Sequence, residues 1–323
     1  MNVRSWVVRG LTRAVSGALL LAALGSGPAN AAQKLTVMLD WFVNPDHAPL
    51  IVALEKGYFT DAGLDVRFVA PADPNDPPKL VAAGKADLAV SYQPQLHVHV
   101  AQGLPLVRVA TLVATPLNSV VVLASGPVRS IADLRGRKVG FSVGGFEDAI
   151  LGGMLHRHGL KLQDVKLVNV NFSLSPSLIS GQVDAVIGAF RNFELNQMAL
   201  AGHPGRAFYP EENGVPPYDE LILVANRRNV RDPRLRRFVD AAERGTLYLQ
   251  NHPSESWALF IRNHKDLDDE LNRRAWQDTI RRFALSPAAL DSARYTRFAR
   301  FLKERGLLKE VPPLSTYAVE LQP

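Results

Sequence analysis

Residues 80–92 read LVAAGKADLAVSY, and residues 178–189 read LISGQVDAVIGA. Each stretch runs from an apolar helix end through a glycine (Gly84, Gly181) to an aspartate three positions on (Asp87, Asp184), then into an apolar run. A glycine after a helix supplies the left-handed cap, and a short continuous apolar run suits a parallel strand covered on both faces. The likeness extends upstream. EKGYFTDAGLDVRFVA at 55–70 and LHRHGLKLQDVKLVNV at 155–170 both read helix, turn, strand. The chain must therefore hold two copies of one α/β unit, each a mostly parallel sheet with helices on both faces.

Such sheets take ligands beyond the carboxyl ends of their strands. In the first half those ends carry LDWFVN (39–44) and VSYQPQ (90–95), and in the second VGFSVGGFED (139–148) and IGAFRNFE (187–194). Polar and aromatic residues cluster in these four stretches. From about residue 232 the pattern turns helical, with apolar residues at three and four spacing that predict helices wrapping the first unit. SVVVLAS (119–125) and LILVANRR (221–228) read as strands that carry the chain out of the first unit and back. The expected organisation is one lobe from 32–124 and 221–323, a second from 125–220, and two hinge crossings.

Residues 1–31 stand apart. Arg4, Arg9 and Arg13 precede AVSGALLLAALG, an apolar stretch too short to span a bilayer, and Ala29-Asn30-Ala31 fits a cleavage site. This reads as a cleaved export signal, with a mature start near Ala32 in a Gram-negative periplasm. Removing those arginines lowers the formal net charge from +6 to +3. Without a run of lysines, nucleic acid is not an expected partner. The chain has no cysteine, which excludes disulfides, thiolate metal sites, a cysteine nucleophile and a lipid-anchored N-terminal cysteine.

No metal or cofactor is expected. His97-x-His99 and His156-x-His158 lie in helical stretches where residues two apart point to different sides, so they read as surface histidines. No G-x-S-x-G occurs. The loop from Ser142 to Glu147, with Gly144 and Gly145, joins a strand to a helix and could hold a polar ligand against backbone N–H groups, or simply cap the helix. Trp41, Tyr92, Phe190 and Phe193 fall at cleft-facing strand ends, where rings sandwich a flat ligand. Asn192 and Glu194 add an amide and a carboxylate. A carboxylate beside an aromatic wall suits an amino-substituted heterocycle, because it accepts the exocyclic N–H in a dry place.

These residues carry a resemblance. LDWFVNPDHAPL, APADPNDPPKLVAAGKADLAVSYQPQ, GFSVGGFED, VNVNFSLSP and GAFRNFELNQ resemble the periplasmic substrate-binding proteins of ABC importers for thiamine pyrimidine precursors, over essentially the whole mature length. The resemblance implies a type II periplasmic-binding fold, α/β, with two lobes closing over a 4-aminopyrimidine. It also implies a membrane permease and a separate ATPase as partners; a monomer is expected. It assigns Trp41 as a stacking face, Asn44 as a polar contact, Glu194 as acceptor from the 4-amino group, and Tyr218 as a cover on the closed ligand. Asp40, His47, Ser91, Tyr92, Gly144, Gly145, Glu147, Phe190 and Asn192 complete the expected contacts. Asp40 either touches ligand or anchors its loop.

The same superfamily contains eukaryotic enzymes that build the thiamine pyrimidine from histidine and pyridoxal phosphate. Their cofactor lysine falls on Ser91 here and their sacrificial histidine near Gln95, and their cysteine-rich motif is absent. No catalytic role is therefore expected. Riboflavin, a sulfonate or another heterocycle in the same fold remains an alternative, as does an enzyme using His47 and Glu194.

Overall fold

The computed structural model describes residues 31–322, so the expected export signal lies, but for Ala31, outside the described residues. The strands are β1 (Gln33–Met38), β2 (Leu64–Val69), β3 (Leu88–Ser91), β4 (Leu106–Val113) and β5 (Asn118–Leu123). They continue as β6 (Lys138–Phe141), β7 (Lys166–Asn169), β8 (Ala185–Phe190), β9 (Gly205–Phe208) and β10 (Leu221–Asn226). One sheet has the order β2-β1-β3-β10-β4 and the other β7-β6-β8-β5-β9. In each, the first three strands are parallel and the fourth is antiparallel to both its neighbours.

The repeated aspartates explain the likeness. Asp87 accepts the Thr36 N–H at 2.8 Å and donates its own N–H to the Thr36 carbonyl at 3.0 Å. Asp184 does the same with Lys138, at 2.9 Å in both directions. Each carboxylate thus pins the entrance of a central strand to its neighbour, and each meets a guanidinium, Arg234 or Arg137. Gly84 and Gly181 precede them at φ 72° and 73°, the left-handed turn that L side chains resist.

One boundary moves. The expected division at 124/125 would leave 118–123 in the first lobe, but β5 pairs with β8 and β9 of the second sheet. The crossings are the segments 114–117 and 209–220. An antiparallel strand entering at the middle of a sheet is the first piece of the new lobe, not the last of the old one. β10 enters the first sheet in the same way.

The helices are α1 (Ala48–Glu55), α2 (Tyr58–Asp61), α3 (Pro77–Ala82), α4 (Gln93–Ala101), α5 (Glu147–Arg157) and α6 (Leu174–Ile179). Then come α7 (Glu194–Leu200), α8 (Pro233–Asn251), α9 (Pro253–Phe260), α10 (Glu270–Thr279) and α11 (Ser292–Glu304). α8 packs across α1 and α2, and α11 against α4, as expected of helices wrapping the first lobe. α10 goes further and touches α7 of the second.

His97 and His99 are not surface residues. Both are buried, and His97 lies among Tyr295, Phe298 and Tyr317. Burial pushes His97 down to about 3, so it is a neutral core residue. His156 and His158 are exposed. Among the described residues no group of three or more histidines and acids could hold a metal, and no helix is long and apolar enough to cross a membrane.

Candidate functional site

The carboxyl ends of β1, β3 and β8 face one cavity between the lobes, enclosing about 410 Å³ of empty space with its mouth. The first lobe contributes Asp40, Trp41, Asn44 and Asp46 from the loop after β1, and Tyr92 after β3. The second contributes Glu147, Leu174, Gly188, Phe190, Phe193 and Glu194.

The β1 loop is rigid for local reasons. Asn44 caps the turn at 45–47, its Oδ1 accepting the Asp46 N–H at 2.8 Å. The Asn44 N–H in turn donates to His47 Nδ1 at 3.3 Å. With Nδ1 an acceptor, the ring proton sits on Nε2 and is donated to Asp40 Oδ1 at 2.8 Å. The Tyr92 hydroxyl donates to the other Asp40 oxygen at 2.8 Å. Burial, then the Asp40 charge, hold that phenol well above its usual range, so it stays a donor. The Tyr92 ring stacks on Phe146 at 4.6 Å and meets Phe190 edge-on.

Two glutamates open helices toward the cavity. Glu147 begins α5; its Oε2 accepts the Ser142 N–H at 2.7 Å, and Oε1 lies against the backbone of Gly188. A Cβ at Gly188 would come within 2.3 Å of that oxygen, and φ is +98° there. Only glycine lets the carboxyl group sit so close to β8. Glu194 begins α7, and its Oε2 accepts the Phe190 N–H at 2.6 Å. Burial raises both side chains: Glu147 well above the carboxylate range, and Glu194 to about 8 against the pull of the Phe190 N–H. Burial likewise lifts Asp46 to about 6, although His47 and its hydrogen bond from Asn192 pull it down. At neutral pH Glu194 is mostly the neutral acid, with an O–H to donate and a carbonyl oxygen to accept.

Six of the expected contacts stand elsewhere. His47 is fully buried behind Asp40, with both ring nitrogens used. The Ser91 hydroxyl turns back to Gln95 at 2.8 Å. The Gly144 N–H is taken by Asn75, and Gly145 faces Val98. Asn192 donates to Asp46 and to Thr279, both at 2.6 Å, tying the lobes together instead of lining the cavity. Tyr218 is fully buried against Phe298, so it covers nothing at the mouth. For His47, Ser91, Gly144 and Asn192 a neighbouring group captured the polar atoms that the spacing alone left free to face the cleft.

Asp46, Leu174 and Gly188 were not expected to line the cavity. Gly188 carried a signal, since a glycine interrupting the apolar run AVIGAF marks a close backbone approach. Asp46 stood in the polar cluster LDWFVNPDHAPL after β1 without being assigned to the ligand, and Leu174 carried no signal. Among the described residues, no lysine or arginine lines the cavity. Arg191, nearby, is paired with Glu211 at 2.7 Å and lies over the Tyr209 ring.

Residues 44–256 match the family model described as NMT1/THI5 like. The chain belongs to the NMT1/THI5-like family. A Haemophilus influenzae protein whose name refers to thiamine biosynthesis is 56% identical over 296 residues, 91% of this chain and 94% of that protein. The formylaminopyrimidine-binding protein of Halalkalibacterium halodurans is 37% identical over 77% of this chain and 76% of its own length. A Saccharomyces cerevisiae 4-amino-5-hydroxymethyl-2-methylpyrimidine phosphate synthase is 27% identical over 78% of each chain. Among solved structures, a Candida albicans protein with the generic periplasmic binding protein fold superposes with a TM-score of 0.71 at 18% identity, covering 90% of this chain and 98% of that one. The NMT1/THI5-like chain thus has the periplasmic binding protein fold, with its cavity between the two lobes.

Proposed function

We propose that this chain is the substrate-binding component of an ABC importer and captures a 4-aminopyrimidine precursor of thiamine, hydroxymethylpyrimidine or its formylaminomethyl analogue. One observation carries the reading: buried carboxyl groups face aromatic rings in a cavity whose lining holds no cation. A neutral carboxylic acid donates to a ring nitrogen and accepts from the adjacent amino group, a paired recognition that fits the N=C–NH2 edge of an aminopyrimidine. Trp41 and Phe190 supply apolar walls for the ring. A sulfonate would meet acids and no positive charge, so the anionic alternative lacks support. The name of the Halalkalibacterium relative points to the same ligand class.

The reading is capture, not turnover. The place that the resemblance gives to the synthases' cofactor lysine is Ser91, buried and bonded to Gln95, with no amine for a Schiff base. The export signal expected at 1–31 would deliver the protein to the periplasm, where closed lobes would dock on a permease driven by a separate ATPase. Micromolar to nanomolar capture needs about 8 to 12 kcal/mol, within reach of ring stacking and a few buried hydrogen bonds.

Tryptophan-fluorescence titration of the mature protein with hydroxymethylpyrimidine, its formylaminomethyl analogue, thiamine and riboflavin tests the reading. Saturation by an aminopyrimidine at micromolar concentration or below is the expected result. A response to riboflavin alone, or to none of them, would overturn the ligand and leave the fold intact.

A further inference from the structure

Like Asn192, a second side chain outside the cavity lining spans the two lobes. Asn75 lies between β2 and α3 of the first lobe, half buried. Its Nδ2 donates to the Ser142 carbonyl at 3.1 Å, and its Oδ1 accepts the Gly144 N–H at 3.0 Å. Both partners are backbone groups of the loop that leads into α5 of the second lobe. The amide is fixed from its own side of the cleft, because Asp73 Oδ1 accepts both the Asn75 N–H, at 2.8 Å, and its Nδ2, at 2.9 Å. A side chain fixed in this way loses little entropy when it bridges. Across the mouth, Phe172 of the second lobe packs on Trp41 and Phe42 of the first, each with ring centroids at 4.6 Å.

We propose that Asn75 is a latch that holds the cleft shut independently of what occupies it, with Phe172 as a second contact on the same rim. The loop that Asn75 grips also donates the Ser142 N–H to Glu147, so closing the latch sets the position of that cavity-lining acid. A latch of this kind biases the two-state equilibrium toward the closed form before ligand arrives, which raises apparent affinity and slows release. Asn75 is then a positioning residue, acting through the lobes and not through ligand contact. The inference does not depend on which molecule the cavity takes.

The chain carries no cysteine, so labels can be placed at chosen sites. Cysteines replacing Leu200 and Leu247, both exposed and on opposite lobes, carry a spin-label pair whose distance reports closure without ligand. The expected result is that Asn75→Ala lengthens or broadens this distance in the ligand-free protein, with little change in melting temperature. Phe172→Ala should act in the same direction. In stopped-flow dissociation of hydroxymethylpyrimidine, Asn75→Ala should raise koff about tenfold, the scale of two lost neutral hydrogen bonds, with kon little changed. An unchanged ligand-free distance in both variants would overturn the latch, whatever the ligand proves to be. Lengthened distances with no binding to any pyrimidine would keep the latch and sink the ligand reading.

Discussion

Replacing Glu194 with glutamine changes one atom at the point where this site must recognise an amino group. The Phe190 N–H holds Oε2 at 2.6 Å, and the side chain lines the cavity. In Glu194→Gln the amide oxygen must take over the Phe190 N–H, since an NH2 group there would leave two donors facing each other. The amide nitrogen then faces the ligand. It can donate to a ring nitrogen but cannot accept from the exocyclic amine. Losing the hydrogen bond that the neutral acid accepts costs about 0.5–1.5 kcal/mol, a rise in Kd of about 2- to 12-fold. Stability should not fall at neutral pH, because glutamine spares the folded chain the proton that burial forces onto Glu194. Calorimetric or fluorescence titration gives the Kd, and a thermal melt without ligand gives the control. Unchanged affinity would refute the acceptor role. A Kd that rises only with a large fall in melting temperature would show that the loss is structural.

The raised acid also makes a pH prediction. Between the ordinary carboxylate value of 4.5 and about 8, the folded chain holds a proton on Glu194 that the unfolded chain has lost. The stability it contributes is complete below pH 4.5 and drains away as pH rises to about 8; melting curves of Glu194→Gln should fall less steeply across that window. Gly188→Ala should destabilise by more than about 2 kcal/mol in urea titration, since its Cβ would meet Glu147 at 2.3 Å with φ at +98°. Trp41→Phe should abolish the ligand-induced fluorescence change: the other tryptophans among the described residues, Trp257 and Trp276, pack on each other away from the cavity. A surviving signal would place the reporting tryptophan elsewhere. His47→Leu should cost about 1.5–3 kcal/mol in chemical denaturation, because it strips a buried hydrogen-bond donor from Asp40; a loss of affinity without that cost would return His47 to the ligand.

Much of this architecture was written in local pattern. The repeated glycine and aspartate fold into equivalent places because cap geometry and a strand-entrance hydrogen bond act over a few residues, and the chain has two copies of each. The four clusters of aromatic and polar residues converge because parallel strands align their carboxyl ends, which is a property of the fold class. Strand membership at 118–123 was less legible. An apolar run declares that it is buried but not which sheet buries it, and only the pairing of β5 with β8 and β9 decides that.

Beyond that scale tertiary structure decided. Composition could not show that Arg108 is a buried cation, its guanidinium spread over the carbonyls of Pro287 and Ala288 and the hydroxyl of Thr111. Nor could it show that Asn192 ties the lobes together, or that His47 and Tyr218 stand behind the wall and not on it. The upward shift of the Glu147 and Glu194 carboxyl groups is of the same kind, because burial arises from segments far apart in the chain closing over each of them. Sequence by itself determined which residue types meet at the cleft, through short-range rules of periodicity, capping and strand polarity. Which of them face the cavity, and with what charge, depended on long-range packing, where desolvation and competition for partners are settled.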